Sequence, residues 1–249
     1  MNFNRVPTNG RNFEYITGED PFLGATMVYP AIKGVQSNGV IANAKHFAFN
    51  NQETNRVTVS AIVDERTRFE IYYPAFQAAV DAGVGSFMCS YNRINGVWSC
   101  ENNVTLSELK RDLNFTGWVM SDWGGTHSTV LAANAGLDQE MTDGIYFNES
   151  LKEAVEAGEV SMDTLDDKVV RIFTGMINVG VMDGSCPPAD FYTNATSDEH
   201  NHIARVVAAN AGILLSNDNS VLPLKKNSIL RVNIFGDNAN NNMIWTRLR

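Results

Sequence analysis

The chain has 249 residues, of which 44% are hydrophobic and 19% are charged, a composition that indicates a folded protein with a sizeable core. Its net charge of −9 argues against a nucleic-acid partner, because phosphate binding needs clustered lysine and arginine. No apolar run approaches the roughly 18 residues of a membrane-spanning helix, and three cysteines are too few for a disulfide scaffold or a structural zinc site.

Helices alternate with short apolar strands through the first part of the chain, a pattern typical of a parallel α/β sheet. Pro21 opens a predicted helix over 21–37, and Gly83 ends a second one over 64–82. A capping-box pattern, Thr105-Leu106-Ser107-Glu108, predicts a third helix that ends near 114. Strands are predicted at 39–47, 85–91 and 117–123, with a shorter one at 136–141.

The later part of the chain is predicted to be mainly helical. Helices are expected at 149–157, 161–179 and 197–215, a linker at 183–194 and a last strand at 229–235. Consecutive strand–helix units suit a (β/α)8 barrel, whose chemistry lies at the carboxyl ends of the strands. A doubly wound sheet also fits, but the glycine-rich phosphate loop that it would favour is absent from the sequence.

Three strand ends carry polar clusters: Lys45-His46, Ser90-Tyr91-Asn92 and Ser121-Asp122-Trp123. Asp122 is followed by an aromatic residue and two glycines, which would leave room for a ligand beside its carboxylate. Asp is also a favoured helix N-cap. On spacing alone, both interpretations of Asp122 stay open.

Several motifs resemble glycoside hydrolase family 3 when they are taken together and in order. They are Gly10-Arg11-Asn12-Phe13-Glu14, Glu19-Asp20-Pro21, Lys45-His46-Phe47, Gln52-Glu53-Thr54-Asn55-Arg56, Ser90-Tyr91-Asn92, Asn95-Gly96 and Met120-Ser121-Asp122-Trp123-Gly124. A weaker likeness continues through Ala211-Gly212-Ile213-Leu214-Leu215 and Leu222-Pro223-Leu224. No single tripeptide is specific, but the combination is.

The resemblance implies a retaining β-glucosidase with Asp122 as its nucleophile, acting on β-glucosides or oligosaccharides through a glycosyl–enzyme ester. A nearby cation would keep Asp122 ionised, and Lys45 is the expected one. Trp123 would offer its ring face to the sugar. The other implied substrate-binding residues are Arg11, Lys45, His46, Met88 and Tyr91. No metal or cofactor, no nucleic acid and no membrane is expected to take part.

The family pattern also implies a domain division: residues 1–184 as part of the N-terminal (β/α)8 barrel, 185–210 as a linker and helix, and 211–249 as the truncated start of an α/β sandwich domain. We expect the opening barrel strands and the general-acid glutamate of the second domain to be absent from this chain. Activity is therefore expected to be impaired, since unprotonated leaving groups depart roughly 10²–10⁴-fold more slowly.

Two alternatives remain in view. A β-xylosidase is the first, although family xylosidases often carry cysteine where Trp123 stands, and the second is a catalytically inactive sugar-binding fragment. A β-N-acetylglucosaminidase is disfavoured, because the loop after His46 lacks the Asp–His pair of those enzymes. The oligomeric state is not predicted.

Four Asn-x-Ser/Thr sequons begin at Asn103, Asn114, Asn148 and Asn194, which favours an extracellular parent protein, although the chain does not start with a signal-peptide pattern. Cys89 and Cys100 bracket the Tyr91 loop and could be paired or reduced with similar expectation. Asp138 and Glu140, near a strand end, are expected to make structural hydrogen bonds.

Overall fold

The structure is a computed structural model that describes residues 4–184, 190, 192–228, 231–236 and 239. It divides into two compact units, Met1–Pro188 and Ala189–Arg249. The domain boundaries predicted at residues 184 and 210 stay predictions. Among the described residues, no helix has the combined length and apolarity needed to cross a bilayer.

The first unit is built on a parallel sheet of three strands in the order β1-β3-β6. A second, smaller sheet has the order β2-β4-β5 and lies on the chain segments that follow β1 and β3. The strands are β1 Asn43–Phe47, β2 Ser60–Ala61, β3 Ser86–Cys89, β4 Arg93–Ile94, β5 Val97–Trp98 and β6 Trp118–Ser121. Parallel strands alternate with helices as in part of a (β/α)8 barrel, so the predicted α/β class is confirmed, and the described strands form no closed barrel.

The described helices lie close to the predicted ones. They are α1 Pro21–Gln36, α2 Glu65–Thr67, α3 Tyr73–Asp81, α4 Asn103–Ser107, α5 Val130–Ala135, α6 Glu149–Glu156, α7 Met162–Asn178 and α8 Asp198–Asn210. A π-helical turn, Arg68–Tyr72, joins α2 to α3, and another, Glu108–Asp112, continues α4. Helix α5 was not predicted.

Side-chain caps set where these helices begin. The Asp20 carboxylate accepts hydrogen bonds from Phe22 N and Leu23 N at the start of α1. The predicted capping box was wrong in detail, because Asn102 Oδ1 accepts from Thr105 N at 3.1 Å and starts α4 at Asn103. One wider turn after α4 then carries the helix to Asp112.

An aromatic core holds α3 against the sheet. The ring of Phe47 on β1 meets Phe76 of α3 edge-on at 5.1 Å and Phe87 of β3 at 5.8 Å. Phe87 in turn meets Phe115 edge-on at 4.7 Å. Such contacts stabilise a core beyond the burial of their area. They fix β1 and β3 side by side, with the carboxyl ends of both strands at one edge.

Two predicted strands and the end of one helix differ from the structure. The region 136–141 contributes only a parallel bridge between Gln139 and Met120. Residues 231–235 are irregular and exposed, and 229 and 230 lie outside the described residues. A strand without a neighbour leaves its backbone groups unpaired, which explains that error. Helix α8 ends at Asn210, two residues before Gly212, whose helix propensity is low.

Candidate active site

Three side chains from three chain segments meet at the carboxyl edge of the parallel sheet. In the register, Phe47 lies opposite Cys89, and Cys89 opposite Ser121, so residues 46, 91 and 122 become neighbours. His46 Nε2 lies 3.2 Å from Asp122 Oδ2. The Tyr91 hydroxyl donates to the backbone carbonyl of Trp123 at 2.9 Å. The strand ends therefore assemble a carboxylate, an imidazole and a phenol.

Asp122 is held in place by backbone contacts on either side. Its amide donates to Cys89 O at 3.3 Å, and its Oδ1 accepts from Trp123 N at 2.8 Å. The turn continues through Gly124, whose φ of 71° lies in the left-handed region that favours glycine. The next helix begins only at Val130, so the N-cap interpretation of Asp122 is wrong. Oδ2 is directed to His46 instead.

The environment keeps Asp122 ionised and His46 neutral near pH 7. Burial alone would raise the pKa of Asp122, but the hydrogen bond from His46, the charge that His46 carries once acidic solution protonates it, and the hydrogen bond from Trp123 N outweigh burial and hold that pKa below 3.8. Burial lowers the pKa of His46 below 6.5, and the Lys45 and Arg11 cations lower it further, against the opposing Asp122 carboxylate. A neutral imidazole can still donate its Nε2 proton to the carboxylate.

Tyr91 stays protonated in this setting. Burial raises the pKa of its hydroxyl to about 12, and the negative charge of Asp122 acts in the same direction. The Arg56 guanidinium lies over its ring, 4.7 Å from the ring centroid. The phenol is thus held by Arg56 at its ring and by the Trp123 carbonyl at its hydroxyl.

A charged pocket lies beside His46. It has a volume of about 10 Å³, which suits one hydroxyl-sized group rather than a whole ring. Its lining consists of Arg11, Glu14, Tyr15, Lys45, His46, Asn50 and Glu53. A larger cavity of about 380 Å³ is lined by residues of α4 and α7, but it contains none of the predicted site residues. We therefore place the candidate site at the carboxyl edge of the sheet.

Comparison with known proteins identifies the family of this chain. The model of the glycosyl hydrolase family 3 N-terminal domain matches residues 1–174, which include every site residue described above. The chain belongs to glycosyl hydrolase family 3. The resemblance seen in the sequence motifs is thereby confirmed.

Relatives of this family 3 chain carry β-glucosidase names. It is 42% identical over 245 residues to probable β-glucosidase L of Emericella nidulans, with 92% of this chain and 33% of the relative covered. Identity to thermostable β-glucosidase B of Acetivibrio thermocellus is also 42%, with 92% and 30% covered. The chain thus spans about a third of the length of these relatives.

Solved structures agree in fold. The β-D-glucoside glucohydrolase of Trichoderma reesei superposes with a TM-score of 0.83 at 39% identity, over 90% of this chain and 32% of that one. A Streptomyces venezuelae β-glucosidase, solved in complex with D-glucose, gives 0.81 at 39% identity, over 90% and 30%. These likenesses support the partial-barrel fold of the family 3 unit.

The predicted family 3 site residues do not all lie in one place. Arg11, Lys45 and His46 line the pocket, and His46 also contacts Asp122. Trp123 follows the carboxylate with 52% of its surface exposed, whereas Met88 is buried on β3 opposite Lys45. Their roles toward a sugar stay predictions.

The expected cation beside Asp122 needs a correction. Lys45 Nζ lies 3.4 Å from Glu14 Oε2, and it is His46 that lies against the Asp122 carboxylate. The side chain of Lys45 therefore belongs to the charged pocket and has no described contact with Asp122.

The sequence-based site assignment missed three residues that lie in the family 3 motifs: Glu14, Glu53 and Arg56. Glu14 pairs with Arg11 and Lys45, and Glu53 Oε2 lies 3.2 Å from Arg56 Nη1. The motifs offered a reason to include them. Glu14 belongs to the same motif as Arg11, and Glu53 and Arg56 share the motif that follows Lys45 and His46. The Arg11–Glu14 and Glu53–Arg56 pairs are three residues apart and lay within reach of sequence reasoning. The contact of Glu14 with Lys45 joins distant segments, so it could not be predicted.

Residues outside the site serve the framework. Asp138 Oδ2 accepts from Val119 N at 2.7 Å and Glu140 Oε2 accepts from Phe147 N at 2.7 Å, the structural hydrogen bonds that were expected. The open question about the cysteines is also answered, since Cys89 and Cys100 form a disulfide. It joins the end of β3 to the turn before α4.

Proposed function

We propose that this chain carries the glucose-binding half of a retaining β-glucosidase site, with Asp122 as the nucleophile. The observation that carries the proposal is the placement of the Asp122 carboxylate 3.2 Å from His46 Nε2, at the edge of a pocket lined by Arg11 and Lys45. The lowered pKa of Asp122 is consistent with a nucleophile that is ionised at neutral pH. The β-glucosidase names of the relatives and the D-glucose complex of a structural neighbour support the same substrate class.

The first half of the reaction forms an ester. The carboxylate oxygen of Asp122 attacks the anomeric carbon, the bond from that carbon to the aglycone oxygen breaks, and the aglycone leaves with the bonding electrons. In the second half, water attacks the same carbon and loses a proton to the solvent, and the bond from that carbon to the Asp122 oxygen breaks, which releases glucose and the Asp122 carboxylate. Each half inverts the anomeric centre, so the β configuration is retained.

The polar groups around Asp122 fit the recognition of a sugar. Arg11 and Lys45 supply N–H donors to a slot of hydroxyl size, and the partly exposed Trp123 offers an apolar face to the ring. Hydrogen bonds from these donors to the sugar hydroxyls would bind the glucosyl unit and hold its anomeric carbon beside Asp122.

The leaving oxygen also needs a proton. Of the carboxyl groups that line the pocket, Glu53 is paired with Arg56, and the Arg11 hydrogen bond lowers the pKa of Glu14 to about 2. Glu14 is therefore ionised near neutral pH, and the ion pair with Arg56 engages Glu53, so neither carboxyl group of the described pocket is placed to give a proton to the aglycone. We therefore infer that the chain acts best on glucosides whose leaving groups need little protonation.

The test uses 2,4-dinitrophenyl β-glucoside and its 2-deoxy-2-fluoro analogue, which accumulates the ester. We expect the fluoro sugar to add one glycosyl group to the chain, located on Asp122 by peptide mass spectrometry. Asp122→Asn should lose the label and lower dinitrophenol release by about 10⁴-fold or more. Labelling of another residue, or equal release by both proteins, would contradict the assignment, and faster release from the xyloside would favour a β-xylosidase.

We also propose that the parent protein is extracellular and glycosylated. A disulfide between Cys89 and Cys100 suits an oxidising compartment, and all four sequon asparagines are exposed. Secreted expression in a eukaryotic host should give a chain whose mass falls after removal of N-linked glycans. Substitution of all four asparagines by glutamine should abolish that difference. An unchanged mass in the unsubstituted chain would argue against the proposal.

A further inference from the structure

One carboxylate contacts two of the predicted sugar-binding cations at once. Glu14 is the last residue of the 3₁₀ turn Asn12–Glu14, and Arg11 immediately precedes that turn. Its Oε1 accepts from Arg11 Nε at 2.7 Å, and its Oε2 accepts from Arg11 Nη2 at 2.6 Å. The same Oε2 lies 3.4 Å from Lys45 Nζ on β1. Glu14 therefore links the turn that carries Arg11 to the strand that carries Lys45.

Both oxygens of Glu14 are already engaged by protein cations, so the group has little capacity left for a sugar hydroxyl. A two-point contact also fixes the plane of the Arg11 guanidinium, because the fork geometry of arginine matches a carboxylate in one orientation. Arg11 and Lys45 are thereby oriented before any ligand arrives. Such preorganisation lowers the entropy lost on binding.

The charges around the pocket give a second reason for an anion at this position. Arg11 and Lys45 face Glu14 directly, His46 and Glu53 line the same pocket, and Asp122 lies behind the lining against His46. Without Glu14, two cations would face each other across a partly desolvated space. They would separate or recruit solvent, and the pocket would lose its shape.

The geometry points to Glu14 as a positioning residue that holds Arg11 and Lys45 in the arrangement needed to bind the hydroxyl groups of a glucosyl unit. The inference rests on the proposed function, since it assigns these cations to the sugar. It concerns ground-state binding and leaves the bond-breaking step to Asp122.

Glu53 provides the matched comparison within the same pocket. It lies 3.9 Å from Arg11 Nη1 and makes its shorter contact, 3.2 Å, with Arg56. It touches Arg11 at one point only and has no described contact with Lys45. Loss of its charge should therefore disturb glucose binding much less than loss of the Glu14 charge.

The experiment compares Glu14→Gln, Glu14→Asp and Glu53→Gln in the full chain, with Glu70→Gln as a surface control whose described ion pair is to Arg66. Glucose affinity is measured by calorimetry, and kcat and KM are measured with dinitrophenyl β-glucoside. Glu14→Gln should weaken glucose binding and raise KM by roughly 10- to 100-fold, with a much smaller change in kcat. Glu14→Asp, which keeps the charge, should recover part of the loss.

Equal glucose affinity in Glu14→Gln and the unsubstituted chain would overturn the inference, as would an equal fall in kcat with no change in KM. A pure stability defect is recognised by thermal unfolding and by the failure of Glu14→Asp to restore binding, and that result also counts against a positioning role.

Failure of the proposed function gives a different result. If the unsubstituted chain neither binds glucose nor forms the Asp122 ester, the β-glucosidase proposal is wrong and the sugar-binding part of the inference falls with it. The electrostatic part is then decided by the NMR titration of His46, assigned with His46→Gln. Glu14→Gln should lower the pKa of His46, because Arg11 and Lys45 lose their counter-charge, and an unchanged pKa overturns that part.

Discussion

Two arginine–carboxylate clusters in the first unit use the same chemistry for different ends. The site cluster consists of Arg11, Glu14 and Lys45, and 24–36% of each side chain is exposed. The buried cluster consists of Arg68, Tyr73 and Glu108, and in it the arginine and glutamate side chains are each 9% exposed. Both hold a two-point contact between a guanidinium and a carboxylate.

In the buried cluster, the carboxylate of Glu108 receives its hydrogen bonds from the other two members. Glu108 accepts from Arg68 Nε at 3.0 Å, from Arg68 Nη2 at 2.5 Å and from the Tyr73 hydroxyl at 2.6 Å. Burial and the Glu108 carboxylate raise the pKa of Tyr73, so its hydroxyl remains a donor. In the site cluster, by contrast, the cations border a pocket that is open to a ligand. The binding role proposed for the site cluster therefore depends on cations that stay exposed beside the pocket, which the buried Arg68–Glu108 pair does not offer.

The largest expected effect comes from breaking the buried pair. Glu108→Gln leaves the Arg68 guanidinium buried without its counter-charge, which should lower the free energy of unfolding by about 3–5 kcal/mol. Glu14→Gln, in the more exposed cluster, should lower it by about 1 kcal/mol or less. Urea denaturation followed by circular dichroism measures both.

A double replacement sharpens this prediction. Arg68→Met combined with Glu108→Leu removes both charges and should be less destabilising than Glu108→Gln alone, since no uncompensated charge remains. Similar losses of stability in Glu14→Gln and Glu108→Gln would erase the distinction between the two clusters.

The two clusters also show which features could be predicted from the sequence. Local patterns were enough to predict α1, α7, the three parallel strands and the position of Asp122 at a strand end. The motif order identified the family. The pairing of Arg68 with Glu108 joins residues 40 apart, and that of Glu14 with Lys45 depends on how a turn packs against a strand. No local periodicity encodes such partners.

Helix interiors were predicted more reliably than their ends and irregular turns. Asn102, rather than Thr105, starts α4, because either residue type can cap and tertiary contacts decide between them. The π-helical turns Arg68–Tyr72 and Glu108–Asp112 place Arg68 and Glu108 together, and a regular helical pattern does not predict them. The short sheet β2-β4-β5 has two-residue strands, too brief for an alternating pattern.

The His46–Asp122 pair tests the comparison most closely, because its side chains are only 9% and 11% exposed and yet it lies in the candidate site. Exposure alone would class it with the buried cluster. Its location at the strand ends, beside the pocket and with Oδ2 against the imidazole, is the basis of the catalytic role that we propose for it. The pH dependence of kcat/KM can separate the two roles, because the pKa of a catalytic carboxylate appears as the midpoint of its acid limb.

The smallest expected effect is a change in the pH at which kcat/KM falls to half its maximum on the acid side. The pKa of Asp122 in the folded protein lies below its ordinary value of 3.8, so the carboxylate is still mostly ionised at pH 3.8. Its contribution to stability is likewise present above 3.8 and lost as the pH falls through the folded value. The acid limb of kcat/KM for dinitrophenyl β-glucoside should have its midpoint below 3.8. His46→Gln should move that midpoint upward, because burial then raises the pKa of Asp122 without the opposing imidazole.

His127→Gln is the matched control for this shift. Burial also lowers the pKa of His127, but its ring stacks on Trp98 with centroids 4.0 Å apart and makes no described contact with Asp122. Its removal should leave the acid limb in place. A limb that stays in place in His46→Gln, while only the unfolding midpoint moves, would show that the His46–Asp122 pair stabilises the fold as Arg68 and Glu108 do. Proximity to the pocket would then not be enough to assign a catalytic role, and the nucleophile would have to be sought by its covalent label alone.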